Sequence, residues 1–234
     1  YIGYLCLALF SKNHLFILKM PGLLITLEGI DNSGKTTQAK KSFDYLKKKG
    51  YQVLLVREPG GTKISEKIRK ILLDDKNQLT AQSELFLYLA ARFQLVSEVI
   101  LPALSETDPF SGKKNKIVIC DRYYDSTLAY QGYARGLNIK LLDNLQKRFF
   151  PTPDLTILID IPVGIARTRL RHNKNLPDRL EKEKISFHQK VRAGYLEIAK
   201  KNRNRIRVVL GQGDITNTWE KVRKIVDNFL KNKF

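Results

Sequence analysis

The sequence has little cysteine, with only Cys6 and Cys120 among its 234 residues. Two thiols cannot build a disulfide framework, and they cannot supply the four ligands of a cysteine zinc site. The three histidines, His14, His172 and His188, show no metal-ligand spacing. These scarcities argue against a disulfide-stapled secreted domain and predict a cytoplasmic protein.

Acidic residues are also few. The chain has 23 Asp and Glu and 42 Lys and Arg, which gives a net charge of +19. Such an excess favours anionic partners such as nucleotides, nucleic acid or acidic membranes. The basic residues are spread along the whole chain, whereas a dedicated nucleic-acid arm concentrates them. We therefore expect small-molecule partners, with no nucleic acid and no membrane.

Linkers, repeats and low-complexity tracts are missing after Met20, which predicts one domain over residues 20–234. The apolar stretch of residues 1–19 lacks the basic start and the small-residue cleavage site of a signal peptide. Ser11 to His14 interrupt it, so it is too short to span a membrane. We expect residues 1–19 to be an upstream or non-native extension.

Short apolar runs alternate with helical patterns, and this alternation predicts parallel strands buried on both faces. The predicted strands are LLITLEG, VLLVRE, KIVICD, LTILID and IRVVL, and the predicted helices are 35–49, 80–104, 138–149, 163–172, 182–202 and 216–231. Five strands with intervening helices indicate an α/β fold with a doubly wound sheet.

The first predicted strand leads into a phosphate-binding loop that matches G-x-x-x-x-G-K-[ST] and precedes a helix. Backbone N–H groups of such a loop surround the phosphates, and the helix N-terminus favours negative charge. Lys35 is expected to reach the β- and γ-phosphates, and the Thr36 hydroxyl to ligate Mg²⁺. The predicted ATP-binding residues are Gly29, Ile30, Asp31, Asn32, Ser33, Gly34, Lys35, Thr36 and Thr37.

Arginines at strand ends point to a second phosphate group. Arg57 ends the second strand and Arg122 follows the third, where a motor ATPase would normally carry a catalytic glutamate. Ligands of open α/β sheets gather at the carboxyl ends of strands, so these side chains should converge with the phosphate loop. Asp121 remains to help organise Mg²⁺. The pattern predicts phosphoryl transfer to a phosphate acceptor.

Several motifs together resemble thymidylate kinases, in the same order and across residues 20–234. They are EGIDNSGKTT, REPGGT, AAR, DRYYDSTLAYQG and DRLE. The resemblance implies a three-layer P-loop nucleoside-kinase fold with a helical lid at about 167–181. It also implies ATP:dTMP phosphotransfer that gives dTDP and ADP for dTTP biosynthesis, with Mg²⁺, in a cytoplasmic homodimer that uses helices beside the acceptor site, to which helix 80–104 could contribute.

The resemblance also assigns the acceptor's phosphate and sugar. Asp31 resembles the acidic residue that contacts the 3′-hydroxyl, and Arg57 and Arg122 resemble the residues that bind the acceptor phosphate. Tyr130 resembles the residue that crowds out a ribose 2′-hydroxyl, and Gln131 is expected to close the same wall. The Pro59 peptide bond resembles a cis bond of the family.

For the base, the resemblance has Tyr88 stacking on thymine and Arg92 bonding its exocyclic oxygen. The family usually has phenylalanine at the stacking position, so Tyr88 is a departure, and taken alone it fits a core aromatic. Thr127 resembles the residue that bonds the thymine ring nitrogen. For Ser126 and Thr127, helix capping is the alternative.

The lid segment contains the remaining candidates for catalysis. Arg167 and Arg171 share a helix face, and Arg179 lies in the DRLE motif. The phosphate loop has no arginine at Asn32 or Ser33, which resembles the enzymes that supply the catalytic arginine from the lid. We predict Lys35, Arg122 and either Arg171 or Arg179 as catalytic residues, with Arg167 nearer the donor nucleotide.

Two alternatives stay open at this point. A kinase for another monophosphate, such as dUMP or dCMP, would differ at Arg92, Thr127 and Tyr130. A nucleic-acid-binding P-loop protein would instead bind DNA or RNA with a steep salt dependence.

Overall fold

The computed structural model describes residues 20–105, 114–172 and 176–233, so the extension predicted for residues 1–19 lies outside them. Within these residues, five parallel strands form one sheet in the order β2-β3-β1-β4-β5. The strands are β1 Leu23–Glu28, β2 Tyr51–Arg57, β3 Lys114–Asp121, β4 Leu155–Asp160 and β5 Ile206–Leu210. The α/β doubly wound prediction is confirmed.

Successive side chains of each strand point to opposite sides, so the sheet has two apolar faces. Helices cover both of them. Leu24, Val118 and Leu158 belong to one apolar core, and Ile25 and Ile119 belong to the other. Every residue of β1 and β4 is buried. Burial on both faces explains why these strands are continuous apolar runs rather than alternating ones.

The helices connect the strands in chain order. They are α1 Lys35–Lys48, α2 Lys63–Leu73, α3 Ala81–Leu95, α4 Leu101–Ser105, α5 Tyr124–Thr127, α6 Ile139–Phe149, α7 Val163–Arg171, α8 Ile185–Lys201 and α9 Ile215–Lys231. Two π-helical segments, Val96–Ile100 and Leu128–Ala134, continue α3 and α5. The six predicted helices are present, whereas α2 and the α5 segment were not predicted.

The helical run Ala81–Ser105 is long and apolar enough to cross a membrane by length and composition alone, with a mean hydropathy of 1.4. Leu85, Leu89 and Ile100 of this run pack in the core, whereas Phe86 is exposed. It also buries Glu84 and Arg92. The buried part of this helix thus accounts for much of its apolar composition.

The carboxyl end of β1 is the position that organises the site. Its neighbours β3 and β4 lie on opposite sides of it. The strand order β2-β3-β1-β4-β5 therefore reverses direction at β1. Such a reversal of strand order opens a crevice at the strand ends. The phosphate loop starts directly after β1 and therefore lies in this crevice.

Candidate active site

The phosphate loop has the backbone that its glycines permit. Gly29 has a φ of 145°, and a Cβ there would lie 2.5 Å from the carbonyl oxygen of Ile159. Gly34 has a φ of 94° and is the N-cap of α1. Asn32 has a φ of 61°, a left-handed conformation that asparagine tolerates. The loop thus presents the N-terminus of α1 to an anion.

Lys35 lies in the first turn of α1 and is only 7% exposed. Its Nζ donates to the carbonyl oxygen of Ile30 at 3.3 Å and lies 3.9 Å from Oδ1 of Asp31. Burial lowers the pKa of Lys35, and the nearby charge of Arg122 lowers it further, against the carboxylates around it. The ammonium is therefore held inside the loop, where phosphate oxygens are its natural partners.

Thr36 and Asp121 meet beside Lys35. The Thr36 hydroxyl donates to Oδ2 of Asp121 at 2.5 Å. Oδ1 of Asp121 is buried and has no hydrogen-bond partner. An orphaned carboxylate oxygen next to a hydroxyl fits a hard cation such as Mg²⁺, which takes only one or two protein oxygens and completes its shell with phosphates and water. Accordingly, no cluster of three or more His, Cys, Asp or Glu with metal-site spacing occurs in the described residues.

Arg122 crosses the crevice from the end of β3. Its backbone has a φ of 68°, which is rare outside glycine and costs about 1–3 kcal/mol. Nη1 donates to the carbonyl oxygen of Gly29 at 3.0 Å and to the Tyr195 hydroxyl at 3.1 Å, and Nη2 donates to Oδ1 of Asp31 at 2.6 Å. The strained backbone thus aims a guanidinium at the phosphate loop.

Asp31 and Tyr130 complete this charged group. Oδ2 of Asp31 accepts a hydrogen bond from the Tyr130 hydroxyl at 2.7 Å. Burial alone would raise the pKa of Asp31, but the charges of Arg122 and Lys35 and the bond from Tyr130 lower it well below its ordinary value. The carboxylate therefore stays ionised and fixes both Arg122 and Tyr130.

A crevice beside this group, which we term the acceptor crevice, is lined by several residues of the predicted acceptor set. The residues that line it are Asp31, Glu58, Pro59, Arg69, Leu73, Tyr88, Arg122, Ser126, Thr127, Tyr130, Gln131, Asp178 and Leu180. It thus brings together six residues of the predicted acceptor set and leaves out Arg57 and Arg92; the six are Asp31, Tyr88, Arg122, Thr127, Tyr130 and Gln131. The Glu58–Pro59 peptide bond is cis, as predicted.

Arg92 lies behind this lining and is 1% exposed. It donates to Glu58 through Nε at 2.7 Å, to Thr127 Oγ1 at 2.9 Å and to Gln146 Oε1 at 2.5 Å. Nη2 contacts Glu58 at 2.6 Å and the Tyr123 carbonyl oxygen at 3.1 Å. The guanidinium thus makes four hydrogen bonds and a further charge contact inside the protein. A bond to a base oxygen, as the resemblance implies, would have to share or replace one of them.

Ser126 and Thr127 do not cap a helix. The N-cap of α5 is Tyr123, without a side-chain cap bond. Ser126 donates to Glu28 at 2.6 Å, and Thr127 accepts from Arg92. Because Thr127 lines the crevice and accepts from Arg92, its own proton is available to a ligand there.

Arg57 and Gln131 have other partners. Nη2 of Arg57 lies 3.1 Å from both carboxylate oxygens of Glu66, and the side chain is 54% exposed. Arg57 lines a neighbouring cleft together with Thr36 and Asp121 rather than the acceptor crevice. Gln131 lines the acceptor crevice, but its amide donates to Glu84 at 2.9 Å.

The predicted lid arginines separate into two groups. Arg167 and Arg171 are exposed on α7. Arg167 borders a cleft of about 230 Å³ that Asp31 and Asn32 of the phosphate loop also line. Arg179 is instead directed away from the donor side, since its Nη1 lies 2.7 Å from Oε2 of the buried Glu84.

Arg169 is a functional candidate that the sequence analysis missed. It donates to the carbonyl oxygens of Asn32 at 3.2 Å, Ser33 at 3.1 Å and Gly211 at 2.9 Å. With Gly34, Thr37 and the residues after β5 it lines a cleft of about 500 Å³, within the range of roughly 300–1,000 Å³ typical of ligand sites. One arginine in an arginine-rich helix carries no signal that distinguishes it from its neighbours.

Glu28, the last residue of β1, is a second missed candidate. It is fully buried and accepts from the Tyr123 backbone at 2.7 Å, from Ser126 at 2.6 Å and from the Tyr195 hydroxyl at 2.9 Å. Burial, with the charge of Asp125, raises the pKa of Glu28 to about 7, against the Ser126 bond and the Arg122 charge. A polar residue at the end of an apolar strand was the available signal.

This chain is similar to known proteins of one family. The thymidylate kinase family model matches residues 27–222. The thymidylate kinase of Caldanaerobacter subterraneus subsp. tengcongensis is 44% identical over 216 residues, which cover 91% of this chain and 98% of that relative. The thymidylate kinase of Kosmotoga olearia is 42% identical over 204 residues, covering 86% and 94%. A crystal structure of thymidylate kinase from Ehrlichia chaffeensis matches with a TM-score of 0.68 and 35% identity, and the match covers 88% of this chain and 98% of that one. The chain belongs to the thymidylate kinase family.

Proposed function

We propose that this protein transfers the γ-phosphoryl group of ATP to dTMP and releases dTDP and ADP. The observation that carries the proposal is the position of Arg122, which joins the phosphate loop to the acceptor crevice through Gly29, Asp31 and Tyr130. A cation between two phosphate sites neutralises charge on donor, acceptor and migrating phosphoryl together, which is the main requirement of phosphoryl transfer.

Each group has a distinct part in this transfer. The phosphate loop binds the donor phosphates, and Lys35 holds its ammonium among their oxygens. Arg122 orients the acceptor phosphate, whose oxygen is already ionised near neutral pH and needs no general base. Asp31 keeps Arg122 in place and remains ionised while doing so. Positioning and electrostatics therefore supply the catalysis.

Mg²⁺ is proposed as the metal of the donor site, held by Thr36 and Asp121. The support is the buried, unpartnered Oδ1 of Asp121 beside the Thr36 hydroxyl. When bound, the ion neutralises negative charge on the ATP phosphates.

Base selection is proposed to depend on Tyr88, Thr127 and Tyr130, which line the acceptor crevice. Tyr88 supplies an aromatic face, and the Thr127 hydroxyl supplies a donor whose orientation Arg92 fixes. The Tyr130 hydroxyl, which its bond to Asp31 holds in place, is proposed to exclude a ribose 2′-hydroxyl. Arg92 acts on the base chiefly through Thr127.

A coupled assay of ADP release tests this proposal, with ATP and Mg²⁺ and with dTMP, dUMP, dCMP, dGMP, AMP and UMP as acceptors. A response dominated by dTMP is expected, and a dominant response to dUMP or dCMP would reassign the base. Folded protein that is silent toward every monophosphate would contradict the proposal, and salt-dependent binding to DNA or RNA would then be measured.

We further propose one catalytic domain over residues 20–234, with a lid at about 167–181 that excludes water when it closes over ATP. The proposed assembly is a cytoplasmic homodimer formed through α3, whose Phe86 is 64% exposed on a helix that also lines the acceptor crevice through Tyr88. Light scattering of the parent and of Phe86→Glu tests this assembly, since a dimer should become a monomer in the variant. A parent that is monomeric at micromolar concentration would contradict it.

A further inference from the structure

A buried carboxylate, Glu84, joins three parts of the molecule beside the acceptor crevice. Its side chain is fully buried in the first turn of α3. It accepts hydrogen bonds from Gln131 at 2.9 Å and from Arg135 at 3.0 and 3.2 Å. Gln131 lies in the π-helical segment Leu128–Ala134, and Arg135 directly follows that segment. Arg179 of the DRLE motif contacts it at 2.7 Å.

The charge on Glu84 is secure. Burial would raise the pKa of its carboxyl, but hydrogen bonds from Arg135, Gln131 and Arg179, together with the charge of Arg135, lower that pKa below its ordinary value. Glu84 is paired with two guanidinium groups, so the loss of either one removes part of the compensation of a buried charge. Glu84 therefore holds Arg179 strongly.

Arg179 is also fixed at its backbone and at its Nε. Nε donates to the carbonyl oxygen of Leu72 at 2.7 Å, and the backbone N–H donates to that of Leu73 at 3.1 Å, both at the end of α2. The side chain is 11% exposed. Its Nε and Nη1 thus face α2 and α3 beside the acceptor crevice, whereas Nη2 is buried without a hydrogen-bond partner.

The segment Asp178–Glu183, which we term the clasp, is held at both ends. Asp178 accepts from the backbone N–H groups of Leu180 and Glu181 at 2.9 Å each, which makes a rigid turn. Glu181 accepts from Asn32 of the phosphate loop at 3.1 Å, and Glu183 pairs with Arg135 at 2.7 Å. The clasp therefore links the phosphate loop to Arg135, which also contacts Glu84 beside the acceptor crevice.

We propose that Arg179 is a positioning residue for the acceptor site, and that its pair with Glu84 holds Asp178 and Leu180 of the clasp against the crevice. Asp178 and Leu180 are both part of the crevice lining, whereas Arg179 is not. This inference rests on the proposed function, because the crevice is taken as the dTMP site. It leaves Arg171 as the lid arginine for the transferring phosphoryl group.

Steady-state kinetics and calorimetric dTMP binding of Arg179→Ala, Arg179→Lys and Glu84→Gln test the clasp. We expect Arg179→Ala to raise KM and Kd for dTMP about tenfold, while kcat and the KM for ATP stay within about threefold. Glu84→Gln, which keeps the shape of the site, should show the same pattern. Arg179→Lys keeps the charge and should recover part of the loss.

The double variant Arg179→Ala/Glu84→Gln separates a shared role from two independent ones. Because the two residues act as one pair, the double variant should bind dTMP about as well as Arg179→Ala alone. Lys147→Ala is the control, since Lys147 pairs with Asp143 at an exposed position and lines neither the acceptor crevice nor the clefts beside the phosphate loop. Its kinetics should equal those of the parent.

A fall in kcat of about a hundredfold or more with unchanged KM for dTMP would make Arg179 catalytic and overturn the proposal. Unchanged kinetics and dTMP binding in both Arg179→Ala and Glu84→Gln would overturn it as well. Thermal unfolding of each variant checks that the fold is intact. A parent that neither phosphorylates nor binds dTMP would instead refute the proposed function, so the two failures are distinguishable.

Discussion

Replacing Arg92 by methionine is expected to lower the free energy of unfolding by about 3–5 kcal/mol, because it leaves the buried carboxylate of Glu58 without its cation. The two side chains are 1% and 5% exposed, and their charged atoms are 2.6 Å apart. Methionine fills much of the arginine's volume, so the lost charge and hydrogen bonds dominate the effect. Gln146 and the Tyr123 carbonyl oxygen lose a donor in addition.

For a domain of this size, each kcal/mol shifts Tm by about 2–4 °C, so differential scanning calorimetry should record a decrease of roughly 6–20 °C. The double variant Arg92→Met/Glu58→Gln removes the orphaned charge and should recover part of that decrease. The matched control is Lys147→Ala, which breaks an exposed pair with Asp143 and should cost less than about 1 kcal/mol.

An Arg92→Met protein that unfolds within about 1 kcal/mol of the parent would refute this reasoning. It would mean that Glu58 is protonated or hydrated in the folded state and that Arg92 is free for a ligand. A double variant no more stable than the single one would contradict the charge argument in the same way.

Further predictions concern pH, metal and sugar selection. The folded state raises the pKa of Glu28 from 4.5 to about 7. Its stabilising contribution is therefore fully present below about pH 4.5 and is lost as pH rises through about 7. Because one pKa unit equals about 1.4 kcal/mol, the free energy of unfolding of the parent should fall by up to about 3 kcal/mol more than that of Glu28→Gln between about pH 4.5 and about pH 8. Urea unfolding at several pH values measures this, and parallel curves for parent and variant would exclude it. Asp121→Asn should require at least about tenfold more Mg²⁺ for half-maximal rate, and an unchanged Mg²⁺ titration would remove Asp121 from the metal site. Tyr130→Phe should raise the efficiency with a ribonucleotide acceptor relative to dTMP by about tenfold, as competition assays would show; an unchanged ratio would assign sugar selection elsewhere.

The sheet could be predicted from the sequence because parallel strands buried on both faces are continuous apolar runs, as in β1 and β4. Their order could not, since the local pattern does not encode which strand lies beside which. Helix α2 was predictable but was missed, because its apolar residues Ile64, Ile68, Ile71 and Leu72 recur at helical spacing. The π-helical continuation of α5 contains Gly132, which disfavours a helix prediction.

The phosphate loop was predictable because its chemistry requires glycine, lysine and threonine at a fixed spacing. The partners of the arginines were not predictable, because they depend on how side chains from distant elements are directed in the folded chain. Arg57 pairs with Glu66, and Arg179 with Glu84, and neither pairing follows from the arginine's position at a strand end or in a motif. Glu28 and Arg169 act through contacts with the loop and with α5 that only the folded chain brings together.

Direct identification of the product tests the central claim. The parent is incubated with ATP, Mg²⁺ and dTMP, and the nucleotides are separated and identified by mass spectrometry, with Lys35→Ala as the control. The parent should form equal amounts of dTDP and ADP, and product formation should fall about a hundredfold or more in the control. ADP formed with phosphate but without dTDP, or dTDP formed equally by Lys35→Ala, would contradict it.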